Sequence, residues 1–274
     1  MKLLFKKVCF IMLLCGSSGI AFADHVTGPI ELKVVQVLNA NGKVLESPNV
    51  DQPVFLRLKI ISSIAQGDYG HKVLVPEDLI INHEKLFHFF GFDRNLTHLI
   101  HEHPIYQNDG TWLVQVVFKT EGTYHLWADV MLNQAPPAET TIGYECTGSD
   151  LIRVTGDSPL VSSQPDLRTQ LSASDGDSVL SLATSEVHAG EMAMIPIHFS
   201  SLSGAAPAIT PYLGTIAHFL VTNPSGTKIY HVHPMEMGGE WMIHLALPAG
   251  SFRIFAQFID HGELKTVALA LTVN

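Results

Sequence analysis

The chain has 274 residues, 46% of them hydrophobic and 15% charged, with a formal charge of −10 at neutral pH. Acidic residues outnumber basic ones, 26 to 16, which argues against nucleic acid or anionic lipid as a partner and suits cations. All 15 histidines lie beyond residue 23, a density that asks for a chemical reason.

Residues 1–23 read as a cleavable export signal peptide. Lys2, Lys6 and Lys7 precede an apolar run at 8–20 that is too short to span a bilayer comfortably. Ala21-Phe22-Ala23 supplies the small-residue cleavage pattern. No later stretch is long and apolar enough for a membrane helix, so the expected location is the periplasm or the medium, without a membrane span. Cleavage removes Cys9 and Cys15 and leaves Cys146 alone, so no intramolecular disulfide is expected. The new terminus, Asp24-His25, is a minor candidate for Cu(II), through its amine and imidazole.

From there the chain says the same thing twice. Short apolar strands at 32–38 and 54–60 are matched by strands at 179–183 and 192–199, each pair joined through a turn. His88-Phe89-Phe90 is followed by Leu99-Ile100-His101-Glu102-His103-Pro104. His218-Phe219-Leu220 is followed by Ile229-Tyr230-His231-Val232-His233-Pro234. A tryptophan strand comes next in each copy. Trp112, Val114, Val116 and Phe118 share one face while Gln115 and Lys119 point the other way, and Trp241, Ile243, Leu245 and Leu247 repeat this. Gly122-Thr123-Tyr124 and Gly250-Ser251-Phe252 then open a further strand, the first with the look of a tyrosine corner. Helical periodicity is hard to find. The expected fold is all-β, with two tandem immunoglobulin-like β-sandwich domains at 24–155 and 166–274 and a Ser/Pro/Asp-rich linker at 156–165.

The histidine spacing predicts a hairpin. A four-residue turn at 93–96 pairs Phe92 with Thr97 and His88 with His101, and Asn223-Pro224-Ser225-Gly226 does the same for His218 and His231. His103 and His233 lie two residues further on and so share that face. Three imidazoles then converge in each copy, close enough to reach one ion at about 2.0–2.1 Å. The candidate metal ligands are His88, His101 and His103 in the first domain and His218, His231 and His233 in the second, with His83 as a fourth ligand in the first. Met235 and Met237 are weaker candidates for Cu(I), and Cys146 weaker still. The alternative is that these histidines only brace hairpins, satisfied by backbone carbonyls.

At these residues the chain resembles a largely uncharacterised group of secreted bacterial proteins with immunoglobulin-like, YtkA-like domains. The shared pattern is a strand histidine, a short turn, His-x-His-Pro, and a Gly-x-Tyr/Phe strand. Here that is His88, His101, His103, Pro104, Gly122 and Tyr124, and again His218, His231, His233, Pro234, Gly250 and Phe252. The resemblance implies a link to heavy-metal or copper handling.

Enzyme signatures are missing: no Gly-x-Ser-x-Gly elbow, no phosphate-binding loop, and in His83-Glu84-Lys85-Leu86-Phe87-His88 one residue too many for a zinc-protease motif. The expected function is therefore a non-enzymatic, exported binder of a metal ion, copper or zinc. The alternative is a periplasmic or secreted interaction module that presents loops to an unknown protein partner.

Overall fold

The computed structural model describes residues 26–27, 30–63, 71–133, 144–156, 165–184 and 186–274. The expected signal peptide, the Asp24-His25 terminus and residues 157–164 of the expected linker lie outside them. The described chain is all-β, apart from one turn of 3-10 helix at Pro76–Asp78. It forms two sandwiches. In the first, one sheet runs Val44–Leu45, Ile30–Asn39, Pro53–Ser62, Trp112–Val117, Ile105–Tyr106. The other runs Val26–Thr27, Tyr144–Val154, Gly122–Leu132, Phe87–Asp93, Leu99–Glu102, with Leu79–Ile80 also on Gly122–Leu132. The second sandwich repeats the plan. Ser172–Asp175, Ser178–Leu182, Met192–Ser201, Glu240–Ala246 and Met235–Met237 form one sheet. Ile209–Thr210, Gly250–Asp260, His218–Thr222 and Ile229–Val232 form the other, with Glu263–Val273 against Gly250–Asp260.

Alternation explains the cores. Trp112, Val114, Val116 and Phe118 are buried between the sheets of the first sandwich, while Gln115 points to solvent. Ile243, Leu245 and Leu247 do the same in the second. The tyrosine corner is real in the first copy. The Tyr124 hydroxyl accepts from the backbone N–H groups of Lys119 and Thr120, at 3.2 and 3.0 Å. Phe252 fills the same buried position in the second copy without a hydroxyl.

One strand in each domain is buried along its whole length instead of alternating. Every residue of Phe87–Asp93 and of His218–Thr222 is buried, because both faces of the sheet are covered. Phe87 and Phe89 enter the first core, and Phe219 and Val221 the second. The other faces meet each other. Phe90, Phe92, Leu96 and Trp127 from the first domain pack with Leu220, Ile229 and Phe255 from the second in a third apolar cluster. Each such side chain is worth about 1.5–3 kcal/mol when fully buried, so the two sandwiches are held by a core of their own. The Trp127 indole also donates to the Gly226 carbonyl across this interface, at 3.2 Å. Gly226 has φ +70°, and a Cβ there would come within 2.7 Å of the Phe92 ring, so glycine is needed for the approach as well as for the turn.

Candidate metal centre

The histidine hairpins form, with a register that differs from the expectation. Phe90 faces His101 and Phe92 faces Leu99, while Leu220 faces His231 and Thr222 faces Ile229. The expected pairs Phe92–Thr97, His88–His101, Thr222–Thr227 and His218–His231 are each off by two residues. The cause is the side chain at the start of each loop. Asp93 Oδ1 accepts from the N–H groups of Thr97 and His98, at 2.7 and 2.9 Å. Asn223 Oδ1 accepts from Thr227 and Lys228, at 2.9 and 3.0 Å. These bonds hold two further residues in each loop. The shift is even, and side chains alternate with period two, so the three histidines still share one face.

They converge as two triads. In the first, His88 Nδ1 stands 3.3 Å from His101 Nε2 and 3.2 Å from His103 Nε2. In the second, His218 Nδ1 is 3.2 Å from His231 Nε2, and His233 Nε2 is 2.9 and 3.0 Å from those two atoms. Three nitrogens about 2.0–2.1 Å from one tetrahedral ion would sit about 3.3 Å apart, close to the two distances from His88 in the first triad and a few tenths of an ångström wider than the second triad, whose sides are 2.9–3.2 Å.

Hydrogen bonds on the far side of each ring set the tautomers. A carbonyl only accepts, so His88 Nε2 carries the hydrogen it gives to Asn82 O at 3.0 Å, and His218 Nε2 the one it gives to Tyr212 O at 3.0 Å. The Gln257 amide N–H bonds Thr266 Oγ1, which leaves Oε1 to accept from His101 Nδ1 at 2.7 Å. The Asp129 carboxylate accepts from His231 Nδ1, also at 2.7 Å. In each triad two bare ring nitrogens therefore aim at each other across 3.2 or 3.3 Å. Two lone pairs cannot hydrogen-bond, but they can share a cation.

The environment favours neutral imidazole. Burial, with the neighbouring imidazoles and Lys85 in support, brings His88 down to about 4 and His103 to about 3. Burial and the His88 ring bring His218 to about 3. His101 and His231, the most deeply buried, lie well below the ordinary histidine value for the same reasons. Neutral imidazole is the form that binds metal.

The two triads are adjacent, which the repeat alone does not reveal. The His88 and His231 rings are 5.1 Å apart, and His101 and His218 are 5.5 Å apart. Within the triads, His88–His101 and His218–His231 are separated by 5.7 and 5.4 Å. His83 does not join the first triad as expected. It sits in a tight turn at φ +46°, and its ring stacks on His233 of the other domain with centroids 3.4 Å apart. Met235 and Met237 are exposed on their strand, and Cys146 is enclosed in the first core. Sequence reasoning missed Asp129 and Gln257. The signal was present: each is the one polar residue in an apolar stretch, Trp127-Ala128-Asp129-Val130 and Phe255-Ala256-Gln257-Phe258, at corresponding places in the repeat.

A family model described as a domain of unknown function, DUF8832, matches residues 172–274. No curated protein matches the chain. Solved structures that match include an Escherichia coli adhesin, FdeC, at 17% identity, covering 90% of this chain and 65% of that one, TM-score 0.21. Surface layer protein SbsC, domains 1–6, matches at 14% identity, with 92% and 29% covered and a TM-score of 0.18. The C-terminal domain of the Streptococcus agalactiae AgI/II polypeptide BspA matches at 13%, with 88% and 99% covered and a TM-score of 0.22. This chain thus spans less than two thirds of the first two, and at these TM-scores the three add nothing to the site.

Proposed function

We propose that the protein is an exported, non-enzymatic metal binder that holds copper or zinc ions in its two histidine triads. One observation carries this reading: in each domain the tautomers fixed by Asn82 and Gln257, or by Tyr212 and Asp129, leave bare nitrogens 3.2–3.3 Å apart with a third imidazole beside them. A brace would put a hydrogen on Nε2 of the third imidazole, His103 or His233, and donate it to these lone pairs, whereas an ion takes all three nitrogens as acceptors of one positive charge. Imidazole suits both copper and zinc. The export-type leader and the acidic composition fit a cation carrier in the periplasm or the medium, and the resemblance to YtkA-like His-x-His-Pro domains points the same way. The chemistry this chain supplies is binding alone. Its residues orient ring nitrogens, exclude water and keep the imidazoles neutral.

The test is stoichiometry. Metal-free protein, dialysed against a small excess of zinc or cupric ion and then freed of loose metal, should retain two ions per chain by elemental analysis. Replacing His101 and His103 together by Ala should remove one. Retention of none would overturn the reading and leave the interaction module, with histidines as braces, in its place.

A further inference from the structure

The repeat makes the two triads look interchangeable, but the side chains behind them are not. The strand that supplies Asp129 belongs to the first domain, yet its carboxylate holds His231 of the second. The strand that supplies Gln257 belongs to the second domain, yet its amide holds His101 of the first. The two contacts are equal in length, 2.7 Å, and lie at corresponding places in the repeat. They differ in charge. We infer that the pair forms one two-ion centre with unequal members: His218, His231 and His233 take a divalent ion, and His88, His101 and His103 take cuprous ion, with Asp129 and Gln257 as the positioning residues that set the difference across the interface. This inference rests on the metal-binding reading above.

Electrostatics in a buried site supplies the reason. His231 and Asp129 are all but inaccessible to solvent, with side chains 0% and 1% exposed. A divalent ion on three neutral imidazoles, with an ionised carboxylate behind one of them, leaves a single net positive charge. The same ion on the first triad, backed only by a neutral amide, leaves two. Uncompensated charge in a dry interior is costly, so the first triad favours an ion of lower charge. Lys85 adds to this. Its ammonium is felt by both His88 and His103, and the second domain has Thr215 at the corresponding position. The closeness of the triads acts in the same direction. With rings of opposite triads as near as 5.1 Å, two bound ions repel each other strongly, and the repulsion halves when one of them is monovalent. A carboxylate behind a ligating imidazole also makes its free nitrogen the better donor, which a divalent ion exploits more than a monovalent one.

The experiment compares the sites one at a time in the full-length chain, with His103→Ala to leave the second-domain site and His233→Ala to leave the first. Each is titrated with zinc ion against a chromophoric chelator, and with cuprous ion under anaerobic conditions against a cuprous chelator. Zinc should bind the second-domain site about 10–100-fold more tightly than the first, the span expected for a substitution behind a ligand. Asp129→Asn keeps an acceptor for His231 and removes only the charge. It should erase that zinc advantage while changing cuprous affinity at least tenfold less. Gln257→Glu should raise zinc affinity at the first-domain site by a similar factor, and it decides alone if Asp129→Asn does not fold. Equal zinc affinities at the two sites, or an Asp129→Asn loss that is the same for zinc and cuprous ion, would overturn the unequal-pair inference but leave the metal-binding reading intact. Failure of the unsubstituted protein to bind either ion would sink both.

Discussion

The two domains share strands, hairpins and histidines, and several of the residues around the triads that differ between them serve the partner domain. Behind the triads, the first domain offers a carboxylate and the second an amide. Beside them, the first has His83 and Lys85 in the turn where the second has Leu213 and Thr215. His83 reaches across to stack on His233, whereas Tyr212 reaches across to meet His101 edge-on, centroids 6.4 Å apart. Duplication supplied two copies of a ligand set. Asp129, Gln257 and His83 each reach the other copy, so one half can change the chemistry of the other without disturbing its own core.

The largest break in that relation should come from the shared core. Trp127→Ala is expected to cost about 3–5 kcal/mol in chemical denaturation of the metal-free protein, the usual penalty for emptying a buried aromatic site. Phe255→Ala, from the other side of the same cluster, should cost about as much. If both substitutions leave the denaturation midpoint unchanged, the domains do not rest on each other in solution.

Metal should separate the halves less drastically. At a free concentration about 100 times the dissociation constant, binding at one site stabilises the folded state by about 2.7 kcal/mol. The melting temperature should therefore rise with added zinc and return with chelator, and His231→Ala with His233→Ala should remove only part of the rise. A melting temperature indifferent to metal and chelator would count for the brace.

Acid tests both triads at once in the metal-free protein. His88, His103 and His218 have folded-state values of about 4, 3 and 3, against about 6.5 when unfolded. Below pH 6.5 the unfolded chain therefore binds more protons than the folded one, so stability is full above that point and falls as the pH drops toward the folded values. Between pH 6.5 and 5.5 His88 alone should account for about 1 kcal/mol. Urea midpoints across this range would show it, and a flat profile would mean that the rings are not buried as neutral imidazoles.

The smallest difference lies at the corner. Tyr124→Phe should cost the first domain about 0.5–1.5 kcal/mol, the net worth of a buried hydroxyl's bonds, and it makes that domain resemble the second, which already carries Phe252. An unchanged denaturation midpoint would show that the corner bond is dispensable in both copies.

Sequence by itself determined a good deal. Period-two alternation around Trp112 and Trp241 identified the strands, and the repeat of His88, His101 and His103 at His218, His231 and His233 identified the ligand sets. Face sharing survived a wrong register because parity, not the precise pairing, decides which side a strand residue takes. The register itself depended on Asp93 and Asn223 folding back on their own loops, a local bond that alternation does not encode. Only the tertiary structure decided that the triads meet, that His83 serves the far domain, and that Asp129 and Gln257 stand behind the opposite site. The run Phe87-His88-Phe89-Phe90-Gly91-Phe92, with aromatic residues on both faces, does record that something covers its second face. A run of that kind reports burial without naming the surface that buries it, because apolar packing has no direction and any complementary face satisfies it. Which face did so was settled by two sandwiches whose outer surfaces carried Phe90 and Trp127 on one side and Leu220 and Phe255 on the other.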